Sequence, residues 1–309
     1  MGTKVSIMEL QELAPELFDV LAEEDFETSL KLQGTEFLGH DFRYKFFENI
    51  DFDQCCFNQC DMRESSIWMA RFGRCMFHMV DFSGTQLSPV NRDMDLFNQI
   101  GDPGVKSGIT KTMGDEALST FQGSNFCHVN FSGSFFEEMN FKKIDFEDCN
   151  FSLSSGEGAF FNDVVMRQCL FNCANLSFAV FDGAHVKHTK FCKANITGGQ
   201  WKSAYMLCCD FKEAICVRSN FEGAKLGISK YEDVNFRDCN FKNAEFLFSN
   251  FTGARFENCN FENTRIGSLC KFENASFGLS RDNEPDPWSE LEYLMSKGKI
   301  IAEGGLPRK

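Results

Sequence analysis

The chain has 309 residues, a net charge of −14, 37 phenylalanines and 15 cysteines. It holds no apolar run long enough to cross a membrane, no Gly-rich phosphate loop, and no apolar core of a secretory signal near its N-terminus. These features exclude a membrane-spanning helix and a phosphate-cradling nucleotide site; with an acidic balance the chain is expected not to bind nucleic acid directly and to reside in the cytoplasm, a secreted effector with an uncleaved signal remaining open.

Residues 1–32 predict an N-terminal helical cap. Ser6 with Glu9 has the form of a capping box, Leu10, Leu13, Leu17, Phe18 and Leu21 form an apolar stripe at helical spacing, and Pro15 divides the stretch into two short helices. Over 33–87 a bulky apolar residue returns every fifth position, from Phe37, Phe42, Phe47, Phe52 and Phe57 to Phe82 and Leu87: 11 slots, 8 of them Phe. Over 88–120 the period vanishes and Pro89, Gly101, Pro103, Gly104, Gly108 and Gly114 mark turns, which predicts an inserted loop or small lobe; its Asp93, Asp95, Asp102, Asp115 and Glu116 are candidate partner contacts. Over 121–277 the period resumes. From Phe121 to Ile266 there are 30 slots, 19 of them Phe, and Gly156 alone lacks an apolar side chain. The stretch Ser154, Ser155, Gly156, Glu157, Gly158 reads as a bulge or a short second loop. In the tail, 278–309, Asp286 as N-cap, Pro287 in the first turn and Gly298 past the last predict a helix carrying Trp288, Leu291 and Leu294. That helix caps the chain or, through Trp288, pairs two copies.

A period of five fits neither a helix nor a strand and points to a repeat architecture. Two residues before each slot the side chain is small, as at Ala174, Ala184, Ala204, Ala224 and Ala244, with Cys149, Cys169, Cys209, Cys239 and Cys259 as substitutes; Asn or Asp commonly sits between, as at Asn130, Asn150, Asn220 and Asn240. This unit resembles that of the pentapeptide-repeat family. The resemblance implies an all-β solenoid, a right-handed quadrilateral β-helix with four five-residue faces per coil, the slot and small residues inside and the other three positions in water. Helical caps at both ends would cover its unpaired edges.

Read at a spacing of 20, Phe121, Phe141, Phe161, Phe181, Trp201, Phe221, Phe241 and Phe261 form one all-aromatic column, and Phe131, Phe151, Phe171, Phe191, Phe211, Tyr231 and Phe251 form another. These fifteen residues are the predicted structural core, as opposite walls of a square interior.

Eight cysteines, Cys55, Cys60, Cys75, Cys149, Cys169, Cys209, Cys239 and Cys259, fall on the small inward position and Cys216 on a slot, where a free thiol acts as a small hydrophobe. Pairs 20 apart, such as Cys149 with Cys169, would stack a coil apart, but structural thiols are expected. His185 and His188 flank the inward Val186 without a third ligand, and His128 and His188 stand three coils apart. No catalytic residue, metal site or cofactor site is therefore predicted, and the chain is not expected to be an enzyme.

The coils hold 25 acids against 21 bases, so most of the net charge lies in the ends and the insertion. One outward column alternates in sign through Lys142, Asp182, Lys202, Glu222, Lys242 and Glu262. The expected function is a non-catalytic scaffold for protein–protein interaction. The alternative implied by the resemblance is a DNA-mimicking modulator of a type II topoisomerase, by gyrase protection or inhibition, as a homodimer through the C-terminal helix.

Overall fold

A computed structural model of the chain describes residues 3–4, 30–48, 50–68, 71–83, 85–87, 121, 124–267, 269–278, 287–297 and 300–303. The chain winds as a right-handed, four-sided β-helix in which every strand pairing among the described residues is parallel. One side is a twelve-stranded sheet that runs the length of the solenoid; the others are shorter sheets at the front and single bridges behind them, such as Asn130 to Asn150 to Leu170 and Phe160 to Val180 to Gln200.

The five-residue side follows from local geometry. One residue in five takes a positive φ, as at Asp163, Gln168, Cys173 and Phe178 around one coil, and turns the chain through a corner. At most corners the N–H three residues past the slot donates back to the slot carbonyl, as Ala184 to Phe181 at 3.0 Å and Ala194 to Phe191 at 3.1 Å. A non-glycine residue is strained in this conformation. The ladder between coils compensates, for example Phe181 N–H to the Gln200 carbonyl at 2.6 Å and Gln200 N–H to the Ala179 carbonyl at 2.9 Å.

The interior is a square shaft of rings. All fifteen core residues named from the sequence are buried. Along a wall the rings stack face to face, with Phe161 and Phe181 centroids 4.8 Å apart and Phe191 and Phe211 4.7 Å apart. Between walls they meet edge to face, as Phe181 and Phe191 do at 90°.

The insertion leaves the stack undisturbed. Phe121 stacks on Phe72, Phe126 on Phe77 and Phe131 on Phe82, each pair 49 positions apart instead of 20, so 29 residues beyond one coil's worth separate two coils that remain in register. Residues 88–120 themselves lie outside the described residues, as do Ser6, Glu9, Leu10, Leu13, Pro15, Leu17, Phe18 and Leu21 of the expected front helices. Thr3–Lys4, within the span read as a helical cap, is a strand paired with Lys45 and Phe46.

Three features differ from the sequence reading. The stretch 154–158 is no bulge: Ser155 bridges Phe135 on one side and Asn175 on the other, in step with the other coils. Gly156 is tolerated at a slot because the Phe136 ring leans into its place; a Cβ there would stand 2.0 Å from Phe136 Cε2. Behind Ile266 the chain takes up one extra residue, so Asn250 bridges Lys271, and Phe272 and Phe277 continue the columns on Phe251 and Phe256 at 5.1 and 4.9 Å. Finally, the expected C-terminal helix is present at Pro287–Ser296, but it is followed by an unforeseen strand, Ile300–Glu303, which pairs with Thr264–Gly267. Leu291 of the helix is buried, and Glu290 accepts the Phe277 N–H at 2.7 Å.

Candidate interaction surface

Three of every five residues face outward, and the one before the slot is commonly tied to the coil. Asn at the position before a slot accepts, through Oδ1, the N–H two residues on, as Lys242 to Asn240 at 3.2 Å, and donates through Nδ2 to the coil before, as Asn240 to Asn220 and Asn260 to Asn240, both at 3.0 Å. Cys, Ser and Thr at the inward small position do comparable work: Cys60 donates to the Phe37 carbonyl at 3.3 Å, Ser219 to Ile196 at 2.7 Å and Thr264 to Phe241 at 2.8 Å. Burial pushes the Cys209 thiol up to about 12, and Cys216 is raised further by the same cause. All fifteen cysteines are free thiols, Cys149 and Cys169 included.

Charge is paired across coils. Lys242 reaches Glu262 at 3.0 Å, Lys193 reaches Glu213 at 3.5 Å, and Glu245 receives Lys225 at 3.9 Å and Arg265 at 3.7 Å. At the front, Arg43 binds Asp41 at 2.6 Å and holds that carboxyl down to about 2. The alternating column noted in the sequence is thus a run of ion pairs where Lys202 meets Glu222 and Lys242 meets Glu262.

One edge changes character along its length. At the outward end of the long sheet, the two residues after the slot are Glu147 and Asp148, then Arg167 and Gln168, then Lys187 and His188. Here Asp148, Gln168, His188 and Lys190 line an open groove of about 610 Å³. From the next coil the same places hold Leu207 and Cys208, Gly227 and Ile228, Leu247 and Phe248. Leu269 follows beside the extra residue. Ile228, Phe248 and Leu269 are 55%, 59% and 65% exposed. Gly227 and Gly267 leave room for the neighbouring leucines, Leu207 and Leu247, whose Cδ atoms lie 3.4 Å from where a Cβ would be built on each glycine, so apolar side chains follow one another from coil to coil. Single exposed hydrophobes are ordinary; a contiguous row is not. The sequence carried this signal in the position two after the slot, where polar residues prevail until Cys208.

The acidic candidates Asp93, Asp95, Asp102, Asp115 and Glu116 lie outside the described residues, as do Asp286 and Gly298. Trp288 belongs to the C-terminal helix, but its side chain is likewise outside them. His185 and His188 do not come together; the His185 ring lies 5.9 Å from that of Tyr205. No helix among the described residues is long and apolar enough to cross a membrane.

Five-residue sides, inward phenylalanines and a coil of 20 define a four-sided solenoid scaffold. The family model described as pentapeptide repeats matches residues 119–155 and 158–198, and a second of the same description matches 231–278. The chain is a pentapeptide-repeat protein. Solved structures similar to it include HetL of the cyanobacterium Nostoc sp. strain PCC 7120, a pentapeptide repeat protein involved in heterocyst differentiation regulation, 13% identical over 88% of this chain and 94% of its own at a TM-score of 0.29. A trypsin-treated variant of QnrB1, a plasmid-mediated fluoroquinolone resistance protein, is 15% identical over 90% of this chain and 100% of its own, with a TM-score of 0.25. A pentapeptide repeat protein of the Arabidopsis thaliana thylakoid lumen is 28% identical over 35% of this chain and 66% of its own, with a TM-score of 0.14. No curated protein matches the chain.

Proposed function

We propose that this chain is a non-catalytic docking scaffold that binds another protein along the apolar row of its C-terminal half. The observation that carries the reading is the contiguous exposure of Ile228, Phe248 and Leu269 beside Leu207 and Leu247 on a rigid edge. A partner that covers this row gains the burial of three large side chains, each held in place by the coil, so little rotamer freedom is lost on docking. Polar residues that could suggest catalysis are largely engaged structurally: many asparagines in corner hydrogen bonds, many of the thiols with carbonyls, and Lys193, Lys202, Lys225 and Lys242 with glutamates. Thiols used in this way suit a reducing compartment such as the cytoplasm.

The narrower reading, a DNA-like modulator of a type II topoisomerase, calls for a ribbon of unpaired carboxylates matching one charge per ~1.7 Å of duplex. Cross-coil pairing of Glu213, Glu222, Glu245 and Glu262 with bases weighs against it.

The test is affinity capture from the source cell with the intact chain, with Phe248→Asp and with residues 88–120 deleted. It is followed by titration of the purified partner. Phe248→Asp, at an outward position, should weaken that partner by 30-fold or more, of order 2 kcal/mol, as for a central interface side chain. A partner held equally by Phe248→Asp and lost on deletion of 88–120 would move the interface to the insertion and refute the apolar row.

A further inference from the structure

The edge that carries the apolar row begins with free charge. Down the long sheet the register partners one place past the slot run Glu147, Arg167, Lys187, Leu207, Gly227 and Leu247, so two cations lead directly into the leucines. Lys190 stands beside them on the wall of the adjoining groove. Arg167 and Lys190 are exposed and Lys187 is half-buried, over the Tyr205 ring at 6.0 Å. Lys193, Lys202, Lys225 and Lys242 each meet a glutamate, but none of these three cations is ion-paired among the described residues. The nearby carboxylates are engaged or out of reach: Asp148 stands 3.3 Å from His128, Asp210 accepts the Lys212 N–H at 3.1 Å, and Glu147 makes no ion pair with its register partner Arg167.

We infer that the occupant of this edge is an amphipathic α-helix of another protein, with carboxylates in the turn over Arg167, Lys187 and Lys190 and an apolar stripe over Ile228, Phe248 and Leu269. The inference rests on the docking reading above and adds the chemistry of the partner. The row runs across the strands, and the backbone beneath it is already used between coils, as where Ile228 N–H meets the Leu247 carbonyl at 2.7 Å and Cys208 N–H the Gly227 carbonyl at 3.1 Å. A docked segment therefore finds no sheet edge and must satisfy its own backbone, which a helix does. The spacing agrees. Neighbouring strands lie ~4.8 Å apart, so the five strand steps from Arg167 to the coil of Leu269 span about 24 Å, the length of a helix of ~16 residues. A helix returns its apolar face every ~5.4 Å, close to the coil repeat, whereas an extended chain returns one every ~6.7 Å and falls out of step within two coils.

Charge decides which helix fits. Three cations without partners attract carboxylates at that end and repel bases, which fixes the orientation of the helix as well as its composition. An anionic lipid surface is a poorer match, because it meets the whole chain at a net charge of −14, whereas a single helix meets the local bases. A second copy is also a poorer match: the described helix, Pro287–Ser296, buries Leu291 against its own coils and gives Glu290 to the Phe277 N–H.

The experiment selects binders of the purified full chain from a phage-displayed library of helical peptides of about 16 residues, with a fixed stripe of Leu and Phe and with Glu, Gln or Lys varied in each terminal turn. Selection on the parent should enrich Glu in one terminal turn, and selection on Arg167→Glu with Lys187→Glu should enrich Lys in that turn. By fluorescence anisotropy the best acidic peptide should bind that double variant about 10-fold or more weakly and Arg167→Gln with Lys187→Gln about 3- to 5-fold more weakly. Its affinity for the parent should fall as salt rises from about 0.05 to 0.5 M, and Phe248→Asp should weaken it by about 30-fold. No enriched helix, enrichment without charge preference, or a peptide weakened by Phe248→Asp but not by charge reversal would overturn the acidic helix and leave the apolar row standing. Equal binding by the parent and Phe248→Asp would remove the row as well. Binding to vesicles of phosphatidylserine and phosphatidylcholine, or self-association in sedimentation, either one abolished by Phe248→Asp, would give the row to lipid or to a second copy and overturn the inference. If the charge-reversed chain lacks the far-ultraviolet circular dichroism of the parent, the glutamine pair decides.

Discussion

Gly156 and Phe136 make the sharpest test of how this core is packed. Gly156 sits where each coil normally places a bulky residue, and the ring of Phe136 from the coil before fills the space; an added methyl would stand 2.0 Å from Phe136 Cε2. Carbon atoms rest ~3.5 Å apart, so Gly156→Ala must drive the ring back by about 1.5 Å. Phe136 is fully buried and already meets Phe141 and Phe151 edge to face at 5.6 Å and Phe161 at 6.1 Å, so it has nowhere to go. Overpacking of this kind costs about 1–3 kcal/mol. Phe136→Leu alone loses part of a ring and leaves a gap, about 1–2 kcal/mol. In the double variant the methyl enters that gap, so the loss should fall short of the sum of the singles by about 1 kcal/mol or more. Urea unfolding followed by circular dichroism measures all four proteins, and at a slope of ~2 kcal/mol per M the singles should move the midpoint by roughly 0.5–1.5 M for Gly156→Ala and 0.5–1 M for Phe136→Leu. A Gly156→Ala protein as stable as the parent, or additive losses in the double variant, would refute the packing described.

Two further outcomes follow from the core. Phe211→Asp places a carboxylate between the Phe191 and Tyr231 rings, 4.7 and 5.1 Å away, and should lose several kcal/mol and the cooperative melt of the neighbouring coils; a soluble protein with an unchanged melt would show that the ring is not internal. The Cys209 thiol, pushed up to about 12 by burial from an ordinary 9.0, keeps its proton in the folded chain longer than in the unfolded one. Its contribution is therefore full below pH 9 and is lost as pH rises from 9 toward 12, about 2 kcal/mol of it by pH 10.5. Urea midpoints at pH 8 and 10.5 should accordingly fall less for Cys209→Ala than for the parent, and equal falls would contradict the assignment.

The architecture was legible in the sequence because slot and small residues serve the same interior at every corner, so one rule is written dozens of times. What escaped that rule depends on contacts between coils. Phe272 and Phe277 sit one residue out of period, and only the bridges Asn250 to Lys271 and Arg255 to Ser276 put them back on the columns. Ile300–Glu303 is four residues long and becomes a strand because Thr264–Gly267 offers it an edge, which no local propensity announces. Gly156 looked like a break because a missing side chain in sequence is indistinguishable from a bulge until a neighbour is seen to fill it. The apolar row was visible as letters, but its meaning needed the coil of 20 to bring Ile228 beside Phe248.

The insertion shows why a solenoid can carry such interruptions. Each coil is held by the coil beneath it and only secondarily by the peptide bond that leads to the next. Across the seam the stacked pairs Phe72 and Phe121, Phe77 and Phe126, and Phe82 and Phe131 lie at 5.3, 4.7 and 5.0 Å, within the range of uninterrupted coils. The hydrogen-bond ladder also continues, with Asn130 N–H on the Val80 carbonyl at 2.9 Å and Leu87 N–H on the Phe135 carbonyl at 2.9 Å. Closing a chain connection lengthened by 29 residues costs about 3 kcal/mol in chain entropy. Burying three phenylalanine side chains against their partners returns roughly 1.5–3 kcal/mol each, so the stacked interface outweighs the closure. The margin at this junction is nonetheless smaller than at any junction joined by a five-residue side, which makes it the place where an added cross-link between coils has most effect.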